Sequence, residues 1–363
     1  MQLTGNKQEW GKVYTFLSLL LQKNCEMGDH HLGARNDRTL HIQTIKRIIE
    51  GGSVGATPTQ TGWLFDIDTT FEQKKVELST EELLKLQEEL LSKIKTDDET
   101  FACQAVDAFL SSIGIYEFNS LSESGEDFTI TFFQPYTGQT LKKTVRLHSL
   151  LNRHYLMASN RAANFKFDIT QVKLSNPEAN KINAMGDDES GSITRLNEIF
   201  RLGGRLKYTG VEGKFFQSAL QLIDMHEARL MGEMVRLFYT GESITIKDLT
   251  TELNEINLFK VKDEVILKNR IYEYKIRQLL YAAACGLKPS KTWRGYHNAD
   301  MQIYTTSTGE LRAYDIFEKE NFERFLWQNT RLSLANENKG KYGQIEKENG
   351  QFLIKLNLEI CFI

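Results

Sequence analysis

From Glu9 to Gln22 apolar positions recur at helical spacing, with Trp10, Val13, Phe16, Leu17, Leu20 and Leu21 on one face. Thr4 to Asn6 supplies cap chemistry just before it. A polar loop with Gly28, His30, His31 and Gly33 follows. The spacing then predicts a second helix around Ile42 to Ile49, ended by Gly51 and Gly52. Trp63 to Ile67 and Lys74 to Leu78 read as strands. Thr80 to Lys95 reads as a helix opened by Ser79 or Thr80 with Glu81 and Glu82 behind it, and another helix is expected from about Thr100 to Ile113. Strict alternation marks Asp127 to Phe133, where Phe128, Ile130 and Phe132 oppose Thr129 and Thr131. The turn Pro135-Tyr136-Thr137-Gly138 and a return strand over Lys143 to Leu147 complete a β-hairpin.

The second half reads as helices over Ser192 to Phe200, Lys214 to Tyr239 (broken once) and Ile271 to Cys285. Leu206 to Tyr208 is a short strand, and Ser243 to Ile256 a small strand leading into a helix. From Trp293 onward the chain is expected to return to strands, with Ile303 to Thr305 and Leu311 to Ile316 flanking Thr308-Gly309, and Phe352 to Phe362 alternating. The fold class is therefore mixed α/β (α+β): a core sheet with flanking helices, then a half rich in helices and strands. A boundary is expected in the polar run from Ser175 to Gly191, which holds Asn176, Pro177, Asn180, Asp187, Asp188 and Glu189. It would separate residues 1–175 from 190–363.

Composition narrows this only a little. The 363 residues are 40% apolar and 26% charged with a net charge of −3, which excludes a histone-like electrostatic binder but not local cation patches. Cys25, Cys103, Cys285 and Cys361 form no CxxC pair, so neither a zinc cluster nor a disulfide framework is indicated, and a reducing cytoplasm is expected. No stretch approaches the roughly 20 apolar residues that span a bilayer, and the opening MQLTGNKQEW lacks a leader pattern.

The hairpin carries the most suggestive chemistry. An acid at the start of one strand, with further polar groups on the returning strand, is a way to hold a hard cation and activate water at a phosphodiester. Asp127 opens the first strand, and the second reads Val145-Arg146-Leu147-His148. An Asp before a strand is ordinarily only a turn residue. Asp66 and Asp68, with Lys74-Lys75 behind them, mimic an acid-acid-lysine pattern. His30-His31 lacks a third ligand at suitable spacing, and His297 with Asp300 is a short, common pattern. The stretch Asn152, Arg153, His154, Ser159, Asn160, Arg161 and Asn164 groups side chains that read base edges, Arg pairing with guanine and Asn with adenine. Lys142, Lys143, Arg201, Arg205, Lys207, Lys288, Lys291, Arg294, Lys339 and Lys341 are scattered cations, some suited to phosphates and most to solvent.

Taken together, TGNKQEW, TGQTLKKTVRLHSLL with ASNRAANF, DLTTELNEIN with YEYKIRQLL, and FLWQNTRL with ENGQFLIKLNLEICF resemble the HpaII-type restriction endonuclease family, in order and over nearly the whole chain. The resemblance implies a PD-(D/E)xK-like fold, Mg²⁺-dependent phosphodiester hydrolysis and recognition of a short palindrome in duplex DNA. It carries over in part. Asp127-Phe128 matches the family's Asp-Ile, and Glu9 matches an acid of the first helix, so Asp127 and Glu9 are the implied metal ligands. The family's lysine falls on His148 with Ser149 kept, Arg146 stands where the family has Ser, and Gln134 where it has Asp. Lys339-Gly340 replaces an Arg-His pair.

An ordinary imidazole is mostly neutral at pH 7, so His148 cannot supply the fixed charge of a lysine. It can serve as a base, with Arg146 two positions away on the same face. The expected candidate catalytic set is Asp127, His148, Arg146 and Glu9. The expected DNA contacts are Asn152, Arg153, Ser159, Asn160, Arg161 and Asn164, with Arg153 and Arg161 foremost. The leading expectation is a type II endonuclease acting on duplex DNA as a homodimer, paired with a DNA methyltransferase. The competing readings are a relative that binds DNA without cutting it, and metal-independent scission or base excision through His148.

Overall fold

The computed structural model describes residues 2–97, 99–122, 125–186 and 191–363. The chain divides into two compact units, 1–154 with 297–325 and 155–296 with 326–363, so it passes between them three times. The division falls at residue 154 and leaves the polar run inside the second unit. Asp187, Asp188 and Glu189 of that run lie outside the described residues.

The first unit opens with β1 (Thr4–Asn6) and α1 (Lys7–Gln22). Asn6 caps α1 in a capping box: its side chain accepts from the N–H groups of Gln8 and Glu9, and Glu9 reaches back to the Asn6 N–H. Then come β2 (Asn24–Gly28), β3 (Ala34–Ile49), β4 (Gly52–Pro58), β5 (Gly62–Thr69) and β6 (Gln73–Ser79). They lead to α2 (Thr80–Thr96), whose Ser79–Glu82 box repeats the same start signal. β7 (Thr100–Ala102), α3 (Gln104–Ser112), β8 (Phe128–Gln134) and β9 (Gln139–Ser149) follow.

Two expectations are corrected here. Ile42 to Ile49 is strand, not helix. Its buried positions are Leu40, Ile42, Ile45, Arg47 and Ile49, an alternation slipped once by an irregularity between Ile42 and Thr44. The slip makes 42, 45 and 49 mimic helical spacing, while the β-branched run favours extended chain. The helix expected over residues 100–113 is a short strand followed by a helix that starts only after Cys103.

The second unit takes the chain through β10 (Tyr155–Met157), β11 (Asn164–Thr170), α4 (Asn176–Asn183), α5 (Gly191–Arg201), β12 (Arg205–Val211), α6 (Lys214–Ile223), α7 (Glu227–Thr240), α8 (Ile246–Ile256), α9 (Asp263–Asn269) and α10 (Ile271–Ala284). Back in the first unit stand β13 (Met301–Thr305) and β14 (Leu311–Asp315). Then α11 (Lys319–Gln328) interrupts what was expected to be all strand, its Phe322 and Phe325 closing over Tyr304 and Tyr314. β15 (Thr330–Leu332), α12 (Glu337–Gly340), β16 (Ile345–Glu348), β17 (Gln351–Asn357) and β18 (Ile360–Phe362) finish the second unit. Among the described residues no helix is long and apolar enough to cross a membrane, and the four cysteines are buried thiols.

The first unit is built on a nine-stranded mixed sheet ordered β2-β14-β13-β9-β8-β3-β4-β5-β6, in which β13 runs parallel to β9 and β14 parallel to β2. α1 lies across it. Trp10 stacks on Phe101 and donates its indole N–H to the Phe101 carbonyl, and Trp63 donates to the Leu20 carbonyl. Two large side chains are thus buried without orphaned polar atoms. The second unit holds the sheets β12-β11-β17-β16 and β10-β18-β15 with α4 to α10 around them. Its buried Arg195–Glu337 pair, at 2.6 Å, also uses the Gly343 carbonyl and the Ser192 N–H.

Candidate active site

The hairpin expected at Asp127 is present as β8 and β9, registered Phe128 to Val145. β8 starts at Phe128, so β9 runs on past Val145 beyond the end of its neighbour. Asp127 fills that gap with its side chain. Its backbone N–H donates to the Val145 carbonyl, and its Oδ2 accepts the Leu147 N–H at 2.9 Å. The carboxylate is 4% exposed. It is held there by cations, because a buried carboxylate without a counter-charge is costly. Lys12 Nζ stands 3.5 Å from Oδ1. Arg47 lines the same crevice, its guanidinium over the Phe128 ring and donating to the Glu117 and Phe118 carbonyls. The crevice between Lys12, Arg47, Phe118, Asp127 and Leu147 has a volume of about 20 Å³, room for one water.

α1 brings Lys12 to this place through one stripe of its surface. Gln8 Nε2 donates to the Arg153 carbonyl at 3.2 Å, and Thr15 Oγ1 donates to the His148 carbonyl at 2.9 Å and accepts from Thr305 Oγ1 at 2.7 Å. Between them Gly11 lets the helix touch the strand, since a Cβ there would lie 2.8 Å from the Cβ of Ser149. Positions 8, 11, 12 and 15 share a helical face, so the contacts that seat α1 also fix Lys12.

Val145, Leu147 and Ser149 alternate with Arg146 and His148 along β9, which places the latter two on the same face as Gln302 and Tyr304 of the parallel strand. The His148 ring stacks on Tyr304 at 4.7 Å between centroids. Its Nε2 lies 2.6 Å from the Gln302 amide oxygen and its Nδ1 3.1 Å from His154 Nε2. These contacts fix which ring nitrogens face which partners, and the donor in each follows the tautomer. Burial drives the His148 pKa well below its usual range, and the His154, Arg146 and Lys12 charges push it the same way against the Gln302 bond. Burial, Lys12 and Arg146 lower His154 to about 3. Both imidazoles are therefore neutral at neutral pH. Beside them Arg146 Nε and Gln302 Nε2 are buried donors that meet no acceptor, as is Nδ2 of Asn152 in the following loop.

Glu9 is spent differently. One of its oxygens closes the capping box at the Asn6 N–H. Among the described residues no group of three or more His, Cys, Asp or Glu side chains could hold a metal ion. Mg²⁺ takes an oxygen-rich shell. Asp127 offers one carboxylate already facing an ammonium and a backbone N–H, and the neighbouring His148 carbonyl accepts from Thr15. Glu117 lines the same crevice, and one or two carboxylates completed by a substrate phosphate are a set that Mg²⁺ accepts, so Asp127 and Glu117 are the residues that would hold it.

The expected recognition residues divide between the units. Asn152 and Arg153 fall in the first, with Arg153 exposed. Ser159, Asn160, Arg161 and Asn164 fall in the second. Ser159 bonds Asn357, Asn160 caps the turn at Ala162, and Arg161 is exposed and paired with Glu212 at 2.7 Å. Asn164 is fully buried, its amide donating to Glu212 and the Gly340 carbonyl, so it holds the unit together and faces no solvent.

Among the remaining candidates, Asp66 and Lys75 are an exposed cross-strand pair on β5 and β6, four and five strands from β9. His30 and His31 pack on each other, and Asp300 clamps β13 to β9 through the Thr144 N–H and hydroxyl. Gln134 ends β8 and accepts the Thr137 hydroxyl. Sequence reasoning missed Lys12, Arg47, Gln302 and Tyr304 and did not link His154 to His148. Only proximity in sequence could have flagged His154, since the others arrive from distant elements.

The model of the HpaII restriction endonuclease family matches residues 6–362. The type II restriction enzyme HpaII of Haemophilus parainfluenzae is 27% identical over 373 aligned residues, covering 99% of each chain. No solved structure matches the chain significantly.

Proposed function

The chain belongs to the HpaII restriction endonuclease family, and from that premise we propose that it cleaves phosphodiester bonds of duplex DNA as a type II enzyme, with its centre at the β8–β9 hairpin. The observation that carries the reading is that β8–β9 has beside it a buried carboxylate paired with an ammonium, Asp127 with Lys12 at 3.5 Å, and two neutral imidazoles in contact, His148 with His154 at 3.1 Å.

The chemistry follows from their charges. Arg146 and Lys12 attract a phosphate, and its oxygens meet the unpaired donors of Arg146 and Gln302. The incoming anion offsets the cations that depress His148 and His154, so their affinity for a proton rises as substrate arrives. Water adds to phosphorus, its proton passes to the imidazole pair, the bond to one sugar oxygen breaks, and that oxygen takes a proton from solvent. Asp127 fixes the end of β9 and balances Lys12. A Mg²⁺ held by Asp127 and Glu117 would add Lewis-acid activation of the water and the phosphate, and the steps above are those of the chain's own residues.

In this reading Arg153, Arg161, Asn152, Ser159 and Asn160 are the DNA contacts. A homodimer reads a short palindrome, and a cognate methyltransferase protects the host's own sites in the reducing cytoplasm. The test is digestion of a long unmethylated DNA by the purified protein in Mg²⁺, in Mn²⁺ and in chelator. Discrete fragments in any arm support the reading, and fragments that persist in chelator favour metal-independent scission. Intact DNA in every arm, with duplex binding retained, replaces it by the non-cutting relative.

A further inference from the structure

We infer that Lys12, from the first helix, supplies the fixed positive charge at the scissile phosphate that position 148 of the hairpin cannot, an assignment that rests on the nuclease reading above. His148 cannot fill that role, since a neutral imidazole enclosed by Tyr304, His154 and Gln302 carries no charge to offer an anion.

Lys12 has the position and the surroundings for it. Its ammonium stands 3.5 Å from Asp127 where β8 stops, and its side chain is 22% exposed, too enclosed for a solvated surface lysine and too open for a sealed ion pair. Its backbone is pinned on both sides, by Gln8 on the Arg153 carbonyl and by Thr15 on the His148 carbonyl, with Gly11 pressed onto Ser149. Arg47 lines the same crevice near both Asp127 and Glu117, so Lys12 is not the one cation beside the Asp127 carboxylate. Arg47 in turn is 6% exposed, and its Nη2 is occupied by two carbonyls, so it serves the carboxylate and the fold.

The same site is short of acceptors. Arg146 and Gln302 are neighbours in register, and both hold buried donors without a partner. Gln302 is fully buried, so its orphan amide hydrogens are not left to bulk water. These two unpartnered donors match the two non-bridging oxygens of a phosphodiester. Lys12 is thus assigned to touch a phosphate oxygen, with Asp127 holding its ammonium in place until DNA binds.

The experiment uses full-length protein and the variants Lys12→Met and Lys12→Arg. Single-turnover cleavage and duplex affinity are measured together, and the His154 imidazole is titrated by NMR. Lys12→Met is expected to slow cleavage about a hundredfold, the usual effect of deleting one group that stabilises transition-state charge, while affinity changes no more than about threefold. Its His154 is expected to titrate at higher pH than in the unaltered protein while staying well below 6.5, which shows the cation gone and the fold kept. Lys12→Arg, which keeps the charge beside Asp127, is expected to recover a tenth or more of the rate. A Lys12→Met protein that cuts at the full rate overturns the assignment alone. So does a Lys12→Arg protein as slow as Lys12→Met. Unaltered protein that cuts nothing in any arm, chelator included, overturns the nuclease reading and this assignment with it.

Discussion

Acid should weaken the first unit through its two neutral imidazoles, and the size of the effect can be worked out for His154. In the unfolded chain this ring takes up a proton near pH 6.5, whereas in the folded protein burial, Lys12 and Arg146 hold that event down to about pH 3. Between those values the unfolded state binds more protons than the native one, so stability rises with pH. The contribution is complete above 6.5 and is lost as pH falls toward 3. Each pH unit corresponds to about 1.4 kcal/mol, so going from 6.5 to 4.5 withdraws about 2.7 kcal/mol at most through His154. The edge of the ring that solvent reaches reduces this to roughly 1–2.5 kcal/mol. His148 is shifted in the same direction. The assay is urea unfolding at half-unit steps from pH 4.5 to 7.5, comparing the unaltered chain with His154→Gln, which retains a donor toward His148. Carboxylates titrate alike in both, so the difference isolates the ring. The variant's stability should fall less steeply with acid, and parallel curves would refute the argument.

Two more outcomes follow from the second unit and the recognition stretch. Glu227 is fully buried with both carboxylate oxygens unpartnered, and burial raises its pKa to about 8, only partly opposed by Lys275. A raised carboxyl pKa means stability is lost as pH climbs from about 4.5 through 8, so Glu227→Gln should stabilise the protein by about 1–3 kcal/mol at pH 7.5 and by little at pH 5 in thermal melts. Arg153→Ala and Arg161→Ala should each weaken duplex binding about fivefold or more and flatten its dependence on salt, as read by fluorescence anisotropy, and an unchanged salt slope in both would remove them from the interface.

What the sequence disclosed and what it hid have physical causes. α1 and α2 were legible because their apolar stripe and capping boxes are local signals, and the β8–β9 hairpin because alternation and a Gly turn sit within about 20 residues. β3 was misread because one slipped residue turned alternation into a false helical period, and β4, bracketed by Gly52 and Pro58, offered little pattern. α11 was hidden in a region whose strands dominated the reading. At the site, Asp127, Arg146 and His148 were readable because they are neighbours on one hairpin. Lys12, Arg47, Gln302 and Tyr304 were not, since each reaches the hairpin across long sequence separations that only sheet order and helix packing create. Asn164 read as a base contact because an amide looks the same whether it faces DNA or, as here, Glu212 and Asn357.

The threading of the first unit has a bearing on how the protein is made. β9 is flanked on one side by β8, which emerges from the ribosome just before it, and on the other by β13, which emerges about 150 residues later. During that interval the nascent hairpin has no Tyr304 beneath His148, no Gln302 to orient its ring and an open edge where β13 will dock. With the cutting centre on this hairpin, as proposed above, a cell translating the protein would gain a built-in delay, because those contacts are made only when the last strands of the sheet are delivered.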